Sequence, residues 1–171
     1  MLILHAVKKL LNTSNIETRQ YITKAAEGQL LHSWYAGVFS STFPGKLMVM
    51  YVHEPSMLTI VCRGKTIKTT WPQFQQRLPV LLHRYHFAPA FIEAEMQEAV
   101  GYVVAKTNSR SMLGRMNQMV YQLEFDCSRF ETYEAISPDV LEDRMMDMLY
   151  GISRGKYISP IRYWQQANLI H

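Results

Sequence analysis

Lys106, Asn108, Ser109 and Arg110 fall within five residues of one another, in the stretch Ala105-Lys-Thr-Asn-Ser-Arg-Ser111. Two cations beside amide and hydroxyl side chains form a set suited to an anion such as phosphate or carboxylate. Position strengthens the reading. The apolar run 100–104 reads as a strand, and helical periodicity begins near Met112, so the polar residues lie where a strand hands over to a helix start. Free backbone amides and the positive end of the helix dipole favour negative charge there. The competing reading is a capped helix with two solvated cations. Asn108, Ser109 and Ser111 can each serve as the N-cap, because each side chain accepts a hydrogen bond from a free amide, and the sequence leaves all three open.

The helix that follows carries two patterns. At about 100° per residue, Met112, Leu113, Met116, Met119, Val120 and Leu123 share one side, the face expected to pack on a core. Arg110, Gly114, Asn117 and Tyr121 form a line on the opposite side. A glycine inside a helix costs about 1 kcal/mol relative to alanine, so Gly114 implies close approach by another backbone: a tight packing contact or a bound partner.

This segment also resembles the signature of a bacterial domain family of unknown function, in the form Lys106-Thr107-Asn108-x-Arg110-Ser111-x-Leu113-Gly114-x-Met116-Asn117, with Ser109 as an extra residue. Residues 2–11, Leu-Ile-Leu-His-Ala-Val-Lys-Lys-Leu-Leu, and Trp34-Tyr35-Ala36-Gly37 resemble the opening of that family. The similarity spans residues 1 to about 125. It implies no activity and no catalytic residues.

Other reactive side chains are scattered. His5 lies on an apolar element, where a core or edge position is the ordinary role. His83 and His86 are three apart but lack a carboxylate or cysteine at matching spacing, so no metal site is expected. Arg84, Tyr85 and His86 have the make-up of a base-stacking cluster or of an amphipathic helix end. Arg154, Lys156 and Arg162 alternate with Tyr157, Tyr163 and Trp164, a mixture that fits nucleic-acid contact or an arm packed on its own domain or on a second copy. Cys62 and Cys127 are too few and too far apart for a zinc motif, and reduced thiols are expected.

The elements that position these residues read as follows. Residues 2–7 form a short strand and Lys8 to Leu11 begin a helical turn, with 12–28 as loop containing some helix. Strands at 33–40, 47–53 and 57–62, joined by short turn-rich connections, predict an antiparallel meander. Both alternations of 47–52 are apolar, so this strand is central and covered on both faces, or has one face in an oligomer contact. Thr70 is the expected cap of a helix with Pro72 in its first turn and Gln73 completing a capping box. Pro79 should kink or divide that helix. A second helix covers 90–99. Ser137 caps another, beginning at Pro138 and ending near Gly151, with Leu141, Met145, Met148 and Leu149 as its buried stripe. The class is α+β, a mainly antiparallel sheet of four or five strands covered by helices.

With 171 residues, 48% of them hydrophobic and 19% charged, the chain reads as one domain over 1–171, with 153–171 as a C-terminal arm. Residues 1–88 hold ten Lys or Arg against three acids, and 89–171 hold eight against eleven, giving +7 and −3. That asymmetry suits an anionic partner for the first half, or attraction between the halves. Neither a signal peptide nor a membrane span is recognisable, so the expected location is cytoplasmic. Phosphate-loop, dinucleotide, zinc-protease and serine-hydrolase motifs are not found. The expected function is non-enzymatic binding of nucleic acid or another anionic partner, as a monomer or homodimer without a cofactor or membrane association. The alternative is an enzyme on a phosphorylated or nucleic-acid substrate, with Asn108, Ser109 and Arg110 holding the anion and a base among His5, His53 and His83.

Overall fold

Apolar alternation builds a five-stranded sheet in the computed structural model, which describes residues 1–16 and 33–170. The strands are β1 (Leu2–Ala6), β2 (Ser33–Ser40), β3 (Leu47–His53), β4 (Thr59–Arg63) and β5 (Tyr102–Lys106), in the order β4-β3-β2-β1-β5. The helices are α1 (Lys8–Ser14), α2 (Ile67–Arg84), α3 (Pro89–Glu98), α4 (Arg110–Cys127), α5 (Pro138–Asp147) and α6 (Pro160–Gln166). A separate two-stranded ribbon joins β6 (Tyr150–Ser153) to β7 (Lys156–Ile158). From residue 17 onward, the expected loop over 12–28 lies outside the described residues.

The α+β class holds, but the sheet is mixed rather than mainly antiparallel. The β2-β3-β4 meander is antiparallel, whereas β1 pairs in parallel with both β2 and β5. Connection length explains the difference: parallel neighbours need a long crossover, and residues 7–32, including α1, separate β1 from β2, while everything from α1 to α3 separates β1 from β5.

Strand alternation divides the core in two. Leu4, Trp34, Tyr51 and Ile60 pack with α1, α2, α3 and α6 on the first face. Tyr35, Met50 and Val61 pack with α4 and α5 on the second. β3 is therefore covered on both faces within this chain.

Three local expectations change. The cap of α2 is Thr66, whose side chain accepts from the Thr69 amide, and Thr70 lies inside the helix, its hydroxyl 2.7 Å from the Tyr51 hydroxyl. Despite Pro72 and Pro79, α2 is one helix, since Phe74, Leu78, Leu81 and Leu82 are buried against the sheet and packing offsets the lost backbone bonds. Ser137 does cap α5, yet the helix ends at Asp147, so Leu149 is exposed and Met148 half-buried; Glu142 and Met146 are buried instead.

Glu142 has a specific task. Its carboxylate accepts the Val61 amide at 3.0 Å, and Gln73 accepts the Arg63 amide at 3.0 Å while donating to the Arg63 carbonyl at 2.7 Å. Side chains thereby occupy backbone groups on the outer edge of β4, an edge that would otherwise invite another strand. Arg77 grips the same Glu142 through two bonds of 2.8 Å, and Arg84 and Asp139 complete the cluster, with Asp143 bound to Arg84 at 3.0 Å.

Candidate anion-binding site

Adjacent parallel strands β1 and β5 end side by side, and their chains then leave toward opposite faces. Leu10 of α1 joins the first core, whereas Met112, Met116, Met119 and Leu123 of α4 join the second. In open sheets, such a divergence beyond the carboxyl ends of strands leaves a crevice where ligands are commonly held. β2 adds Tyr35, which lies opposite His5 in register and so shares its face.

These residues interlock. The rings of His5 and Tyr35 stack with centroids 4.8 Å apart and an interplanar angle of 24°. His5 Nδ1 is 2.9 Å from the Lys106 carbonyl. A carbonyl only accepts, so Nδ1 carries a proton, which makes Nε2 the acceptor of the neutral ring. Among the described residues, Nε2 has no hydrogen-bond partner. Tyr35 donates its hydroxyl to Asn108 Oδ1 at 2.6 Å. Burial, reinforced by the negative charge of Glu54, pushes the Tyr35 phenol up to about 12, against the hydrogen bonds from Asn108 and Ser109. Tyr35 is therefore a proton donor at neutral pH and fixes the carbonyl of the Asn108 amide inward. The three chain segments that carry the family resemblance, around His5, Tyr35 and Lys106 to Asn108, thus meet in one place.

The helix start is resolved by geometry. Ser109 is the N-cap of α4, its hydroxyl accepting from the Met112 amide at 3.2 Å. Asn108 is engaged with Tyr35, and Ser111 lies within the helix, exposed. Met112, Met116, Met119 and Leu123 are buried as phased, and Leu113 and Val120 are half-buried.

Lys106, Asn108, Arg110, Gly114, Asn117 and Tyr121 are all exposed, and Ser109 is half-buried. A Cβ built on Gly114 meets no atom of the described residues within 4 Å, so among them the glycine serves no packing contact. The close approach inside this chain falls at Gly37, where a Cβ would lie 3.1 Å from the terminal methyls of both Met116 and Met50. That glycine, in the Trp-Tyr-Ala-Gly stretch, lets α4 settle onto β2.

Of the three candidate bases, only His5 adjoins the site. His53 is buried on the first face, with its ring 5.3 Å from Trp34 and 5.1 Å from Trp164, and His83 is exposed near the end of α2. Nothing in the sequence marks Tyr35 as a residue for chemistry. Its only sequence signal was its place in the resemblance, because nothing local marks a strand tyrosine as a neighbour of residue 108.

The family model of a domain of unknown function, DUF6933, matches residues 3–163, and the chain belongs to that family. Among curated proteins, none matches. No helix among the described residues is long and apolar enough to cross a membrane.

Proposed function

We propose that this DUF6933 chain is a binding protein that engages an anionic partner through the start and outer face of α4. The observation that carries the reading is the exposure of Lys106, Arg110, Asn117 and Tyr121 along a helix whose Gly114 has no neighbour within 4 Å among the described residues. An internal seam would explain the glycine by packing; an open face leaves approach by another molecule. The basic first half contributes less than its +7 suggests, because Arg77 and Arg84 are neutralised by Asp139, Glu142 and Asp143 of the acidic half. The protein is taken as cytoplasmic and as a monomer or homodimer, a setting consistent with two free, buried cysteines.

Retention on immobilised heparin, a generic polyanion, tests the reading. Arg110→Ala and Lys106→Ala should each elute at lower salt than the parent, and circular dichroism should be unchanged. Elution of both variants with the parent would refute the site.

An enzyme acting on a phosphorylated substrate is the second reading, and His5 favours it. Its Nδ1 bond to the Lys106 carbonyl makes Nε2 the acceptor of the neutral ring beside Tyr35. Turnover of a phosphate ester that is lost in His5→Gln, with folding retained, would support this alternative.

A further inference from the structure

A second acid-free segment joins the outer face of α4, and together they form a surface of different character from the rest of the molecule. Residues 100–123 contain Lys106, Arg110 and Arg115 and no acid; residues 148–171 contain Arg154, Lys156 and Arg162 and again no acid. The fold brings them into contact. Arg115 donates to the Gly151 carbonyl at 3.0 Å, and Tyr150 is buried in the second core, to which Met112, Met116 and Met119 of α4 also belong. The β6-β7 ribbon is therefore tethered to α4 at Gly151, with Arg154, Lys156 and Tyr157 exposed.

Exposed apolar groups concentrate on the same two elements. Among the described residues nine large apolar side chains are strongly exposed, and five of them, Tyr121, Phe125, Leu149, Ile152 and Tyr157, lie on α4 or on the ribbon and its approach. Tyr121 is 77% and Tyr157 66% exposed, a poor use of aromatic surface unless something covers it. Asp147 bounds this surface, lining an open cleft between α4 and α5 with Gln122, Arg144 and Met148.

We infer that α4 and the β6-β7 ribbon together bind single-stranded nucleic acid, with Lys106, Arg110, Arg154 and Lys156 on phosphates and Tyr121 and Tyr157 stacking on bases. This rests on the anion-binding reading of α4 and extends it to a partner. Cations without acids match a phosphate backbone, and unpaired bases offer the π faces that exposed tyrosines lack. A second copy of the chain is disfavoured, since a self-complementary interface would set this cationic surface against itself.

Fluorescence anisotropy with a labelled oligoribonucleotide and its deoxy counterpart, across a salt series, tests the inference. The parent should bind both, with log affinity falling linearly against log salt. Arg154→Ala combined with Lys156→Ala should reduce the slope by about 1.4, at roughly 0.7 per lost contact on a single strand. Tyr157→Ala should weaken binding about 5- to 150-fold and leave the slope alone, because stacking releases no counterion. Annealing the complementary strand should weaken binding. If the ribbon variants bind like the parent while Arg110→Ala is weakened, the inference is wrong and the α4 reading stands. Retention on heparin that depends on Arg110, without oligonucleotide binding at low salt, overturns the nucleic-acid partner alone. Competition by polyglutamate equal to that by oligonucleotide, with Tyr157→Ala silent, overturns it in favour of an acidic protein.

Discussion

Gly114 and Tyr35 show how much of the site depends on single side chains. Gly114 is exposed inside a helix, and a Cβ there would meet none of the described residues within 4 Å, so Gly114→Leu should be more stable than the parent by about 0.5–1 kcal/mol on helix propensity. Its binding should nevertheless be lost, because leucine would protrude across the proposed contact. Thermal melts paired with heparin retention check both halves, and a clear loss of stability would restore the packing explanation. Tyr35 carries a pH signature. Its folded-state phenol is raised to about 12 from an ordinary value of 10, so the neutral form is favoured on folding. The stability it contributes is complete below about pH 10 and is lost as pH rises toward about 12. Other buried tyrosines titrate upward too, so the comparison to make is parent against Tyr35→Phe in denaturant titrations at several alkaline pH values. The parent should lose stability more steeply across that window.

At the scale of elements, caps and edges were unevenly readable. Ser137 before Pro138 announced α5 because cap and N1 proline are local signals. Thr70 before Trp71-Pro72 offered an equally local signal and misled, since Thr66 sits one turn earlier and the buried face of α2 extends back to Ile67. The α4 line was legible as a periodicity, but the setting of Gly114 required knowing that no described element packs on it. Glu142 was legible only as an N-terminal acid of α5; its real partners, the Val61 amide and Arg77, come from elements far away in sequence. Removing it leaves the buried Val61 amide without its acceptor and Arg77 with Asp139 alone. Glu142→Ala should therefore cost about 3–5 kcal/mol in urea unfolding, the range for breaking one side of a buried pair. A cost near that of a surface ion pair, under about 1 kcal/mol, would mean that Asp139 and Asp143 hold the cations unaided. In contrast, Ser109→Ala should cost about 1 kcal/mol as a lost cap, and Ser111→Ala should cost little.

Across the whole molecule, the parallel pairing of β1 with β2 and β5 was the largest feature that local pattern did not reveal, because alternation fixes which face a side chain occupies but not the direction of a neighbouring strand. The charge halves were legible as numbers and ambiguous in meaning until α2 met α5. Similarly, the last aromatic cluster was readable as a contact surface or as packing, and its members divide: Tyr157 is exposed, whereas Trp164 is buried among His53, Phe87 and Phe91. Trp164 closes the first core from the end of the chain, so Trp164→Ala should cost about 3–5 kcal/mol. Trp164→Phe is the sharper test. The indole N–H is buried with no hydrogen-bond partner among the described residues, and removing an unsatisfied donor relieves a penalty of about 1–3 kcal/mol that offsets much of the lost volume. Phenylalanine should then unfold within about 1 kcal/mol of the parent. If it loses nearly as much as alanine, the indole nitrogen is making a bond in solution that offsets its burial.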